Sequence, residues 1–418
     1  MNRTSCKLSD LVEVKNGSTP STIRSDFYDG NIIWITPKDL SNNKSKYIYS
    51  SERKITKAGF DSCSTSLLPI GSVLLSSRAP IGLLAICAVE TCTNQGFKNL
   101  VVKKDKLHNE YLYYWLKTKV KYIDSLGTGT TFKEVSKGVI ENLAIEIPKD
   151  LKDQQKIASV LSALDSKIEL NNRINAELEA MAKTIYDYWF VQFDFPNKNG
   201  KPYKTSGGKM VWNEELKREI PKDWDSGVLS DLGEILGGST PSRDIEENFD
   251  ANGTPWITPK DLSENTENKF ITKGEVSVSD KGLKSASLKI LPKGSVLMSS
   301  RAPVGYMAIA RVSVTTNQGF KSFVPKLDYS TSFIYYTIKN AMPEIINNAS
   351  GSTFKEISGS TLKIIKVCLP NNIVIKEYTS KVDAIFDRQN NLEIENLKLT
   401  ELRDWLLPML MNGQVKVS

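Results

Sequence analysis

The chain has 418 residues, 40% of them hydrophobic and 25% charged, which suits an ordinary globular protein of two or three domains. Its formal net charge of +7 is concentrated in two blocks: residues 1–150 hold 21 Lys and Arg against 15 Asp and Glu, and residues 226–372 hold 16 against 14. Such an excess suits a phosphate-rich partner, while no apolar run is long enough to span a bilayer.

In chain order, short apolar runs separated by turn residues come first. Ile32–Thr36, Gly71–Ser77, Gly82–Val89 and Asn99–Lys103 read as strands. A helix is predicted over Asn109–Ile123, with Leu112, Trp115, Leu116 and Val120 on one face. A last strand, Ile140–Ile147, ends at Pro148. From Ile157 the pattern changes: Leu161, Leu164, Ile168, Ile174, Leu178, Met181, Ile185 and Tyr188 alternate spacings of three and four, the stripe of a packed helix. The stripe breaks at Asn171. Phe195–Asp225, rich in Lys, Gly and Pro, reads as a loop. After a second block, Ile385, Leu392, Leu399, Leu402, Leu406 and Met409 form another helical stripe, with Gln389 and Asn396 in its seam. Polar residues in such a seam commonly fix register and partner. Each helix needs a partner, and a long linker lets the two run antiparallel.

The two blocks are copies of each other. Trp34–Ser41 (WITPKDLS) is identical to Trp256–Ser263, and Leu68–Gly82 matches Leu291–Gly305 at 12 of 15 positions. GSTPS, TNQGFK and G(T/S)TFKE(V/I)S recur at the same offset of 221 to 223 residues. This is one duplicated domain rather than a solenoid, whose period would be several times shorter.

Chemistry is sparse. No GxxxxGK[ST] loop, no GxGxxG after a strand and no Pro-Pro pair occurs. The five cysteines (Cys6, Cys63, Cys87, Cys92, Cys368) are scattered, and the single histidine, His108, sits at no familiar zinc spacing. Ser76-Ser77-Arg78 and Ser299-Ser300-Arg301 lack a general base. The repeated motifs instead carry groups suited to nucleic acid. Arg78 and Arg301 can fork to guanine or to a phosphate, or can anchor a strand–turn–strand. Asn94, Gln95, Asn317 and Gln318 can pair with adenine, with Lys98 and Lys321 on phosphates, or can form a plain turn. Thr131 with Lys133, and Thr353 with Lys355, stand behind Gly-rich loops that suit a phosphate. Lys38 and Lys260 follow tryptophans expected in the core. Arg24 and Arg243 lie beside the two STPS segments without aligning to each other.

The order of motifs, the helix Asp153–Asn171 of the form (D)xQxKIxxxLxxxDxxIExN, and the segment Trp189–Lys209 resemble the DNA-specificity subunit of type I restriction–modification systems. The resemblance covers nearly the whole chain. It implies an α+β, pseudo-twofold architecture: two similar α/β target-recognition domains separated by a long antiparallel two-helix coiled coil. The segments would be target-recognition domain 1 (1–150), a first spacer helix (151–194), a linker (195–225), target-recognition domain 2 (226–372) and a second spacer helix (373–412). The resemblance implies sequence-specific reading of double-stranded DNA at a split site, with two methyltransferase subunits docked on the helices. S-adenosylmethionine would sit on those subunits, and ATP and Mg²⁺ on a restriction–translocase subunit. This chain would bind no cofactor and have no activity of its own. One departure is that the second helix begins NNIVIKEY and lacks the Gln154-Gln155 pair. The alternative functions are a stand-alone DNA-modifying or DNA-cutting enzyme, and a repeat module that binds no DNA. With no apolar core in Met1–Asp10, the expected location is cytoplasmic. Because the two copies are so alike, their half-sites are expected to be close to inverted copies.

Overall fold

The structure is a computed structural model that describes residues 2–129, 133–326, 328–351 and 355–417. The chain divides into two compact units, Met1–Asn171 with Asn396–Ser418, and Asn172–Glu395. Each unit therefore combines one copy of the repeat with part of both long helices.

In the first unit a five-stranded sheet has the order Val12–Asn16, Phe97–Val102, Val73–Ser77, Ile81–Cys87, Tyr47–Ile48. The central strand Val73–Ser77 is buried along its whole length, which explains its unbroken apolar run. Successive side chains of a strand face opposite ways. Val73 and Leu75 pack with Tyr111, Leu112, Trp115 and Leu116 of the helix Asn109–Ser125. Leu74 packs on the other side with Ile35, Leu40 and Phe97. A three-stranded sheet, Lys54–Ile55, Tyr28–Ile35, Cys92–Thr93, carries Trp34 in its small core. Arg3–Lys7 pairs antiparallel with Ala144–Pro148.

The helix Leu151–Tyr186 starts against this domain, burying Ile157, Ala158 and Leu161. Gln154 fastens its first turn, donating to the Pro148 carbonyl at 2.9 Å and accepting from the His108 amide at 2.9 Å. Leu410 and Met411 of the helix Asn372–Met411 share the same core. Asp165 meets Arg403, and Asn171 meets Asn396, so the two helix segments run antiparallel within this unit.

The second unit repeats the strand order: Gly233–Gly237, Lys321–Pro325, Val296–Met298, Met307–Ala310, Phe270–Ile271. Its three-stranded sheet is Val276–Val278, Phe249–Ile257, Thr315–Thr316. An aromatic core joins Tyr186, Trp189, Phe190, Phe193, Phe195 and Trp224 to Phe333 and Tyr378. Here too the helix segments are antiparallel, with Tyr186 against Tyr378 and the Gln389 amide donating to the Asn175 carbonyl at 3.2 Å.

Two expectations are corrected. The strand read over Ile140–Ile147 is a short helix, Lys137–Glu141, followed by the strand Ala144–Pro148; Ser136 caps the helix by accepting from the Val139 amide. Its counterpart is likewise the helix Gly359–Lys363, capped by Ser358, then the strand Lys366–Leu369. The apolar stripe is interrupted at Asn171, but the helix runs unbroken to Tyr186, and the buried asparagine's amide donates to Asn396 in the seam at 2.9 Å. The linker is not all loop. It holds the hairpin Met210–Asn213 with Arg218–Pro221, and it sends Phe195 and Trp224 into the core.

Candidate nucleic-acid interface

In each unit the repeated motifs come together at one place. The strand ending in Ser-Ser-Arg lies between two other motifs. On one side, the Ser77 amide donates to Gly96 O at 2.8 Å; on the other, the Val135 amide donates to Ser77 O at 3.0 Å. In the second unit, the Ser300 amide donates to Gly319 O (2.7 Å) and the Ile357 amide to Ser300 O (3.0 Å). The GSTPS loop lies on the same turn: Ser18 N donates to Thr93 O at 2.9 Å, and Thr19 bonds Gln95; Ser239 to Thr316 O (3.0 Å) and Thr240 to Gln318 repeat the pattern. A Cβ on Gly17 would stand 1.9 Å from Asn94 O, and one on Gly238 2.1 Å from Thr316 O, so this close approach requires glycine.

Buried indoles hold the loops from below. Trp34 Nε1 donates to Ser18 O and Trp256 Nε1 to Ser239 O, both at 3.1 Å. Pro37 and Pro259 approach the same turns, 3.2 Å from where a Cβ of Gly96 or Gly319 would lie. The WITPK motif is thereby brought beside the arginines. In both copies the alanine after the arginine has a left-handed φ, 50° at Ala79 and 53° at Ala302.

The candidate residues behave differently within this frame. Gln95 and Gln318 are exposed, whereas Asn94 and Asn317 accept from the Gly96 and Gly319 amides at 2.9 Å and shape the turn. Arg78 and Arg301 are half-buried, each 3.8 Å from a glutamate, Glu134 and Glu356. Lys98 departs from expectation. Its side chain is buried, and its ammonium is 3.0 Å from Glu134, so it presents no free cation to a phosphate. Lys321 is half-buried and donates to Phe320 O at 3.4 Å.

Arg24 forks onto Asp26 at 2.7 and 2.8 Å and lies over Phe27. Lys38 pairs with Glu52 at 2.7 Å, Lys260 with Glu275 at 2.8 Å and Lys133 with Asp124 at 2.9 Å. Their carboxylate partners raise the pKa of Arg24, Lys38 and Lys260. Arg243 lies over Trp256, and Lys355 is exposed. Thr131 and Thr353 lie outside the described residues. Exposed pairs of this kind are weak and well screened by solvent, so a phosphate can exchange for the carboxylate at little cost.

The two serines of each SSR motif are buried. Ser76 Oγ donates to Pro80 O, and Ser299 Oγ to Pro303 O, both at 2.7 Å, while accepting from the Leu83 and Tyr306 amides. Their hydroxyls build the turn. Among the described residues no group of three or more His, Cys, Asp or Glu side chains is placed to hold a metal ion, and no helix is long and apolar enough to cross a membrane.

The sequence model of the type I restriction modification DNA specificity domain matches this chain twice, over residues 3–180 and 221–401. The chain belongs to that family. It is 33% identical over 424 residues to the type I restriction enzyme MjaIX specificity subunit of Methanocaldococcus jannaschii, spanning 99% of this chain and 93% of that protein. It is 30% identical to the HindI specificity subunit of Haemophilus influenzae, over 68% of this chain and 72% of that one. The fold is shared with the crystal structure of the type I system S subunit from M. genitalium, at a TM-score of 0.64 and 15% identity, covering 98% of this chain and 96% of that one.

Within this family member, sequence reasoning missed Glu134 and Glu356, although both lie in the repeated TFKE segment. It also missed Arg53 and Lys57, which lie over Tyr28 and Phe60 beside Arg24.

Proposed function

We propose that this chain is the non-catalytic, DNA-reading subunit of a type I restriction–modification complex. Each unit reads one half of a split duplex site, and methyltransferase subunits dock on the long helices. Those subunits carry S-adenosylmethionine and methylate adenine N6; ATP and Mg²⁺ belong to a restriction–translocase subunit. The observation that carries this reading is the convergence, in both units, of five separately repeated motifs on one surface cluster of Gln, Arg and Lys side chains. Here the shared residues are donors and acceptors suited to base edges and phosphates. Family membership weighs against a stand-alone enzyme.

The test is single-molecule mapping of N6-methyladenine in cells with and without this gene. A bipartite methylated motif that disappears with the gene is the expected result. Purified alone, the chain should bind duplex DNA with an affinity that falls steeply as salt rises, and it should neither cut nor methylate it. Cleavage or methylation by the isolated chain would refute the reading.

A further inference from the structure

We propose that Glu134 and Glu356 are base-reading residues that accept from the exocyclic amine of cytosine or adenine in the two half-sites. The proposal rests on the DNA-reading function above.

A carboxylate on a surface that meets a polyanion is repelled by it, so its presence in both copies calls for a reason. Glu134 and Glu356 occupy the same place in GTTFKEVS and GSTFKEIS. Their side chains are 37% and 42% exposed, so both can be reached from solvent. Their backbones are held on two sides. Glu134 exchanges amide bonds with Thr128 at 2.9 and 3.0 Å, and the next residue, Val135, donates to Ser77 O. Glu356 does the same with Ser350 at 2.9 and 3.0 Å, and Ile357 donates to Ser300 O. A backbone hydrogen-bonded on both sides under a half-exposed side chain is the arrangement that a reading residue needs.

The neighbouring arginine is close but not spent. Arg78 and Arg301 lie 3.8 Å from these carboxylates, beyond hydrogen-bond length, so their forks remain available. An ionised carboxylate only accepts hydrogen bonds, and the major groove offers amine donors on cytosine N4 and adenine N6. Arginine takes the complementary role against guanine O6 and N7. An arginine and a glutamate side by side can therefore read the two bases of one G·C pair, or two neighbouring pairs. The same couple stands in both units.

The simpler role, in which the glutamate only tethers Arg78, Lys98 or Arg301, predicts a different result. Full-length chain carrying Glu134→Ala or Glu356→Ala is used to select from a randomised duplex pool alongside wild type, and the enriched sequences are compared. Wild type should return a bipartite motif. Each variant should lose discrimination at one base pair, by roughly ten- to hundredfold, in one half-site only. Glu134→Met and Glu356→Met give the same loss of an acceptor with a longer side chain if the alanine variants melt early. Unchanged motifs in the folded variants would overturn the proposal while leaving the DNA-reading function standing, even if overall affinity rises with the lost negative charge. A wild-type chain that enriches no motif would remove both.

Discussion

Arg403 donates to Asp165 across the helix seam of the first unit at 2.9 Å, and Tyr114 donates to the other oxygen of the same carboxylate at 2.6 Å. The Asp165 and Arg403 side chains are only 15% and 18% exposed, so solvent screens the pair weakly. One carboxylate thus joins the domain to both helices. Asp165→Ala should lower stability by about 2–3 kcal/mol, since a phenol loses its acceptor and a part-buried guanidinium keeps only Asp404. Arg403→Ala should cost less, because Asp165 keeps Tyr114. Urea midpoints of the two variants and the double variant check the order. Equal losses would show that the Tyr114 contact adds nothing to what this carboxylate contributes across the seam.

The second unit uses a different ion network, and it predicts acid sensitivity. Burial opposes the charge of Glu179, but Lys269 at 2.5 Å and Lys339 at 2.9 Å outweigh it and bring its pKa down to about 2. A carboxylate whose folded pKa is depressed contributes stability above its unfolded value of 4.5 and loses it as pH falls towards 2. The full contribution is about 3 kcal/mol. Lys269, lowered by burial to about 8 from 10.5, changes charge far from this window. Glu179→Gln should therefore melt below wild type at neutral pH, and the gap should close progressively below pH 4.5. A gap that is independent of pH would exclude the assignment.

The repeat, the strands, both long helices and the core tryptophans were legible because periodicity and duplication are local signals in sequence. What was not legible depends on partners distant along the chain. Asn171 interrupts an apolar stripe and so looks like a break; Asn396, 225 positions away, turns it into a seam contact. Residues 140–141 look like strand because Ile140 is apolar, yet the Ser136 cap makes them helical. Lys98 and Lys321 share the motif TNQGFK, but only the fold shows that Glu134 lies 3.0 Å from the Lys98 ammonium. Buried Lys46 and Lys269 gave no signal at all. One reaches Glu110 and Ser162, the other Glu179 and Gln389, fastening each domain to its helix segments.

Burial changes what Lys98 should do. A phosphate contact removed by mutation lowers the slope of log affinity against log salt by about one unit. Lys98→Ala should instead leave that slope unchanged and reduce thermal stability, because it strips Glu134 of its closest cation. Lys355→Ala, at an exposed position of GSTFKEIS in the second unit, should reduce the slope by about one. Salt titrations of binding by fluorescence anisotropy separate the two. A reduced slope for Lys98→Ala would mean that the lysine leaves Glu134 to meet DNA.

Arg78 and Arg301 occupy the same local frame, each following a serine bonded to an NQG turn on one side and to Val135 or Ile357 on the other, and each beside a glutamate at 3.8 Å. Side chains of one type in one geometry should read the same base. Arg301→Ala should then cost about 1–3 kcal/mol in specific binding and relax one base pair of one half-site, and Arg78→Ala should relax the matching pair in the other. The periphery is not shared. Residues 22–30 carry Arg24 over Phe27, while residues 243–253 carry Arg243 over Trp256 and add Glu246 and Glu247. The half-sites should accordingly be inverted copies at the base pairs nearest these arginines and should diverge at flanking positions. Methylation mapping that finds half-sites unrelated at every position would refute the shared reading frame. So would Arg301→Ala lowering the melting temperature while leaving the preferred sequence intact, which would make the arginine an anchor of its turn.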